Sequence, residues 1–263
     1  MACRLSKAER FRYLGPRMKK ATLSALVAII GLSDSAWAQT SGTSSYSERF
    51  LELSDSKKKS FTEHLFEAQK LFNQKRIFEC LDALTEANLI LPNHPNVLNL
   101  YGACYVEFRD FKKATRTFEK ALKEQPEDVN VLFNLAEISF VTHDWNEALK
   151  RFEKIQTVYA EKLTTMQPLI QFKVLLCKLK LGKVDEVRKE VETFTFKEDN
   201  PLYYYGNAAI SYYDDEAVKA EEWLGRARRV FGGGAALAPW QDTLIEFGYV
   251  KSFYGGDLET ANE

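Results

Sequence analysis

From about residue 60 onward, the small and apolar positions of the chain recur in step. Ala68, Gly102 and Ala136 stand 34 residues apart. Twelve positions later in each unit come Cys80, Ala114 and Ala148. Four further on are Leu84, Phe118 and Phe152, followed three beyond by Ala87, Ala121 and Ile155. Three- and four-residue spacing is the mark of amphipathic helices, and a period of this length accommodates two helices and their turns. Small residues let antiparallel helices approach, while a large apolar residue one turn on fills the groove beside them. Pro92 and Pro126 stop the second helix of their units.

The period then loosens. A fourth unit aligns with Gly182 in its turn and Val187, Val191 and Phe194 on its second helix, with Ala160–Gln167 absorbing an insertion. A fifth runs from Pro201, with Ala220, Leu224 and Ala227 on its second helix. Either Ala208 or Ala209 fits the small position of its first helix. After Gly232-Gly233-Gly234, Pro239 opens a last helix with Trp240, Leu244, Phe247 and Val250 on one stripe. Such a helix suits the open end of a stacked array.

The N-terminal forty residues follow another pattern. A basic start leads into twelve largely apolar residues, Ala21–Leu32, and then to Ala36-Trp37-Ala38 before Gln39. Basic region, apolar core and A-x-A end together predict a secretory signal peptide over 1–38. Twelve residues span about 18 Å as a helix, short of a ~30 Å hydrocarbon core, so no stable membrane anchor is expected after cleavage. Met18 offers a second start, directly before Lys19-Lys20. Residues 39–60 read as a linker with a short helix over Tyr46–Leu53. The repeats occupy 61–231, a loop and terminal helix 232–254, and a polar tail 255–263.

Charge sharpens that division. The whole chain has 36 basic and 37 acidic residues, but residues 1–38 hold seven basic and two acidic ones. The remainder therefore has 29 basic and 35 acidic residues, a net of −6. An acidic body excludes a nucleic-acid binder, whose affinity rests on Lys and Arg neutralising phosphates. With no cysteine beside the cleavage site and no N-x-[ST] acceptor, the expected location is exported, periplasmic or secreted, in a bacterium.

The repeat resembles the tetratricopeptide repeat, a 34-residue helix-turn-helix. Leu98, Gly102, Tyr105, Ala114, Phe118, Ala121 and Pro126 match its large, small, aromatic, small, aromatic, small, proline order. The resemblance implies an all-α helix-turn-helix solenoid with a C-terminal capping helix, in three clear and two degenerate units. It also implies a concave groove lined by the first helices. Carried residue by residue onto this chain, the candidate groove positions are Asn73, Asn96, Asn99, Glu107, Asn130, Phe133, Glu137, Phe140, Phe172, Tyr205 and Tyr212. The full inner set has one lysine, Lys180, and no arginine, which departs from members that clamp a C-terminal carboxylate. Asparagine amides donate to and accept from an extended peptide backbone. The aromatic end either takes a partner's apolar groups or is covered by the terminal helix or a second copy.

Catalytic motifs are absent: no G-x-S-x-G, GxxxxGK[ST], H-E-x-x-H or C-x-x-C occurs. His64, His94 and His143 read as repeat or turn residues. Cys80, Cys104 and Cys177 read as structural, with a Cys80–Cys104 bridge open if the helices meet closely enough. Lys57-Lys58-Lys59 reads as a solvated run before the first repeat. No cofactor or metal is expected. The expected role is a non-enzymatic scaffold or adaptor that binds a protein or peptide partner, with self-association open. The alternative is an accessory subunit of a cell-envelope assembly acting through the convex face or terminal helix.

Overall fold

A computed structural model describes residues 45–232 and 234–251. The leader with Met18 and its cleavage site, residues 39–44, Gly233 and the tail from Gly255 lie outside the described residues. Within the described residues the chain is helical and has no strands. The helices are α1 (Ser45–Leu51), α2 (Asp55–Asn73), α3 (Ile77–Ile90), α4 (Pro95–Glu107), α5 (Phe111–Glu124), α6 (Val129–Val141), α7 (Trp145–Val158), α8 (Gln167–Lys180), α9 (Val184–Glu192), α10 (Leu202–Tyr213), α11 (Ala217–Phe231) and α12 (Ala238–Phe247).

One turn recurs between α2 and α3, α4 and α5, α6 and α7, α8 and α9, and α10 and α11. Three residues join each pair, and the middle one is left-handed: Lys75 (φ 59°), Arg109 (58°), His143 (64°), Gly182 (75°) and Asp215 (59°). The next residue donates its N–H to a carbonyl one helical turn and a half back, as Arg76 to Leu71, Asp110 to Tyr105 and Glu216 to Ser211. This closure satisfies the last carbonyls of the first helix. Asp110 and Asp144 then cap the second helix by accepting from the N–H groups of Lys113 and Glu147.

The turn also fixes register. Seven residues before each left-handed position stand Ala68, Gly102, Ala136, Leu175 and Ala208, so the fifth pair places Ala208 rather than Ala209 at the small position. Five residues after it stand Cys80, Ala114, Ala148, Val187 and Ala220, all wholly buried.

The described chain divides into two compact units, residues 45–135 and 136–251, with the boundary inside α6. In unit 1, α2 packs on α3, α3 on α4, and α4 on α5. Their core includes Phe61, Leu65, Ala68, Leu84, Val97 and Leu100. The short α1 is tied down by Arg49, which pairs with Glu124 at 2.8 Å and donates to the Pro92 carbonyl, and by Phe50 edge-on to Phe61. Ser54 caps α2, so Lys57-Lys58-Lys59 lies in that helix's first turns rather than ahead of it. Cys80 and Cys104 are free buried thiols with Sγ atoms 3.5 Å apart, so the bridge left open by the sequence is not formed.

In unit 2, α8 packs on α7, α9 and α10, α10 packs on α11, and α12 packs on α8. The insertion forms two single 3-10 turns, Ala160–Lys162 and Thr164–Met166, on either side of the buried Leu163. Phe140, Phe152, Phe172 and Tyr205 are at most 1% exposed and form the aromatic interior.

Candidate functional site

The eleven candidate positions separate by burial. In unit 1, Asn73 is exposed, and Asn96, Asn99, Glu107 and Asn130 are half-buried. Asn73 Oδ1 accepts from Gln69 Nε2 one turn earlier on α2. Glu107 takes Lys75 as its ion-pair partner at 2.8 Å, joining the end of α4 to the turn that follows α2. Asn99 Oδ1 accepts from Asn134 Nδ2 at 3.0 Å, which ties α4 to α6. Asn130 holds its backbone against Asp128, whose carboxylate receives the Asn130 N–H at 3.0 Å. Asn96, Asn99 and Glu107 thus stay partly accessible, whereas the Asn130 side-chain oxygen is itself buried. Phe133, by contrast, is 1% exposed and is not available as a contact residue.

The unit 2 candidates are mostly enclosed. Glu137, Phe140, Phe172 and Tyr205 are all at most 1% exposed, which corrects their assignment as open groove contacts. The physical reason is α12. Its Trp240 ring sits 5.4 Å from Phe172 and 5.3 Å from Tyr205, and its Phe247 stacks on Phe140 at 6.2 Å. Just past α12, Tyr249 stacks on the half-buried Tyr212 at 5.1 Å. The terminal helix thus reaches beyond the last pair and covers residues of α6, α8 and α10 that the resemblance assigned to the inner face. Lys180, from that same inner set, lies with its Nζ 4.5 Å from the Phe247 ring centre.

Beneath α12 lies a charge cluster. Lys173 on α8 is wholly buried, with its Nζ 3.1 Å from Glu137 Oε2, 3.6 Å from Glu246 Oε2 and 4.5 Å from the Phe140 ring centre. Burial opposes charge on Lys173, yet Glu137 and Glu246 outweigh it and hold the ammonium above its ordinary pKa. Burial pushes Glu137 up to about 7, with Lys173 opposing and Glu246 adding to the rise. Two carboxylates therefore share one ammonium away from water.

Lys173, Glu246 and Asn134 escaped the sequence reading. A signal for Lys173 was present, because it interrupts the apolar run Phe172–Cys177. A cation at the centre of an apolar helix requires a buried anion.

The histidines carry other roles. His94 is buried at the N-terminus of α4, where its Nδ1 accepts from Asn96 N–H at 3.3 Å; burial, then Arg49, draw its pKa down to about 4. His143 occupies the left-handed turn position and stacks on Trp145 at 5.0 Å. Among the described residues no group of three or more His, Cys, Asp or Glu could hold a metal ion. No described helix is long and apolar enough to cross a membrane.

A solved structure shares the fold. The chain is similar to pilF of Pseudomonas aeruginosa, at 16% identity and a TM-score of 0.54, over 78% of this chain and 96% of that one. It is an all-α fold of tetratricopeptide-type helix pairs. MamA of strain AMB-1 is also similar, at 16% identity and a TM-score of 0.46, over 68% of this chain and 96% of that one. At such identity the likeness is one of fold. No protein-family model matches the chain, and no curated protein matches it either.

Proposed function

We propose that this chain is an exported, non-enzymatic binding module that holds a protein or peptide partner on the polar face of unit 1. The observation that carries this reading is the half-buried asparagine set Asn96, Asn99 and Asn130 on the first helices α4 and α6. With Asn99 Oδ1 engaged by Asn134, the Asn99 amide hydrogens are oriented as donors for a peptide carbonyl. Glu107, paired with Lys75, adds a positioned anion at the end of α4. Tetratricopeptide-type helix pairs supply a rigid frame for such a face. The basic leader over 1–38 supports export, and the absence of catalytic motifs supports a scaffold or adaptor role.

Substituting Asn99→Ala together with Asn130→Ala tests this reading. Partner capture from an envelope extract by the immobilised full chain should fall by about tenfold or more, a usual effect for central contact residues, while helical content stays unchanged. Undiminished capture by the folded double variant would overturn it.

A second reading is supported by α11, where Val218 and Val230 are 78% and 58% exposed. Here the chain is an accessory subunit of an envelope assembly, joined through the exposed apolar positions of that helix. Val218→Glu with Val230→Glu would then release the chain from the assembly and leave the asparagine face active.

A further inference from the structure

We infer that Cys80 and Cys104 are a disulfide-forming site, and that oxidation there bonds α4, the helix carrying Asn96 and Asn99, to α3 of the preceding pair. The inference rests on the export reading for its oxidant and on the asparagine face for its consequence. In this structure the pair is reduced, with the two Sγ atoms 3.5 Å apart and both residues wholly buried. A disulfide needs an S–S separation of about 2.05 Å, so the bond asks for roughly 1.5 Å of approach. Side-chain rotation with a small shift of either helix supplies it. Packing of α3 on α4 runs across this contact, and a 3.1 Å hydroxyl contact between Thr85 on α3 and Tyr101 on α4 holds the two helices in register. The repeat sets the positions. Cys80 stands five residues after the left-handed Lys75, and Cys104 five before the left-handed Arg109. In the next two pairs the same positions hold Ala114 and Ile138, both buried, so apolar packing suffices where no thiols meet.

Oxidation does not start from the closed fold. Burial holds the Cys104 thiol well above its ordinary pKa, and the attacking species is the thiolate. The bond therefore forms before the α3–α4 contact closes, while a newly exported chain is folding. The oxidant is a small molecule or protein of the disulfide class. One cysteine thiolate attacks a sulfur of that disulfide, which forms a mixed disulfide and releases the oxidant's first thiolate. The second cysteine thiolate then attacks the chain sulfur of the mixed disulfide, which forms the Cys80–Cys104 bond and releases the second thiolate. The chain loses two electrons and two protons, and the oxidant's disulfide is reduced to two thiols. Because the two cysteines are 24 residues apart, the bond closes a loop in the unfolded chain and stabilises the fold that encloses it. It fixes the helix of Asn96 and Asn99 at its junction with the first pair.

The test refolds the full chain carrying Cys3→Ser from its denatured, reduced state, once in a mixture of oxidised and reduced glutathione and once in reduced glutathione alone. The oxidised product should weigh two hydrogens less than the reduced one. After unfolding it should titrate only the Cys177 thiol, where the reduced product titrates Cys80, Cys104 and Cys177. Digestion without reductant should release a Cys80–Cys104 cross-linked peptide. Helical content should match that of the reduced chain, and the urea midpoint should rise. Cys80→Ala should abolish the mass loss, and Cys177→Ala should leave it unchanged. A chain that keeps all its thiols, stalls as a glutathione adduct, bonds through Cys177, or loses helical content or stability on oxidation overturns the inference. Where refolding yields little folded chain, the reduced folded chain held in the same glutathione mixture at a urea concentration just below its midpoint gives the same readouts. The result does not depend on where the chain resides in the cell. Its failure leaves export and the asparagine face standing, and a chain that is never exported would still form the bond on refolding.

Discussion

A Cβ added to Gly102 would run into the ring of Phe118. The Phe118 ring of α5 lies against α4 at the point where other pairs place Ala68 or Ala136. Phe118 is wholly buried, and a close-packed core leaves its ring little room to withdraw. Gly102→Ala should therefore cost unit 1 about 2 kcal/mol, the range for overpacking a tight core. Urea unfolding should show the midpoint drop, and Gly102→Ala with Phe118→Leu should recover part of it.

Asp215 is exposed and left-handed at φ 59°, in the turn between α10 and α11. The fourth pair has glycine at the equivalent position, Gly182. A Cβ in this conformation costs roughly 1 kcal/mol, partly offset by the looser unfolded chain that glycine brings. Asp215→Gly should raise the unfolding midpoint by an amount worth roughly 0.5 to 1 kcal/mol. A lower midpoint would mean that the Asp215 side chain itself supports the turn.

The pairs were legible because what specifies them is local. A small residue, a left-handed turn, a second small residue twelve positions after the first and an aromatic one turn on all fall within a single unit, as Gly102, Arg109, Ala114 and Phe118 do. The placement of Asn96, Asn99 and Asn130, half-buried on first helices, was legible for the same reason. The enclosed face was not. Phe140 and Phe172 look alike as groove residues or as core, and the difference depends on where a helix some seventy to a hundred residues later comes to rest. Glu137 shows the limit best. Its spacing marks an inner-face acid, but only the approach of Lys173 and Glu246 makes it a wholly buried one.

The two thiols Cys80 and Cys104 should be inert in the folded chain. Both are wholly buried, and burial, then the Cys80 contact, hold the Cys104 thiol well above its ordinary pKa. Burial likewise pushes Cys177 up to about 12. Reaction requires the thiolate and access to it. In a Cys3→Ser chain at pH 8, an aromatic disulfide reagent should react at least about a hundredfold slower than with a free thiol, and rapidly with three groups once the chain is unfolded. A fast native reaction would show that the α3–α4 contact opens locally.

Stability should carry a signature of Glu137 with a definite sign. Its pKa rises from 4.5 to about 7 in the folded chain, chiefly through burial, with Glu246 on α12 reinforcing the rise and Lys173 on α8 opposing it. The folded state thus holds the proton more tightly than the unfolded state. The resulting stabilisation is complete below about pH 4.5, is lost as pH rises toward about 7, and changes no further above that. Lys173 acts at the other end of the scale: held above its ordinary value, it contributes below about pH 10.5 and is lost only as pH rises beyond it. Other groups titrate in the same acid range, among them His94, lowered to about 4, and Asp128, raised by burial. A difference measurement removes them. The unfolding free energy of the natural chain minus that of Glu137→Gln should fall between pH 5 and pH 8, by at most roughly 3 kcal/mol. A difference that is flat over that interval would place the Glu137 carboxyl in contact with water, and with it the cluster beneath α12.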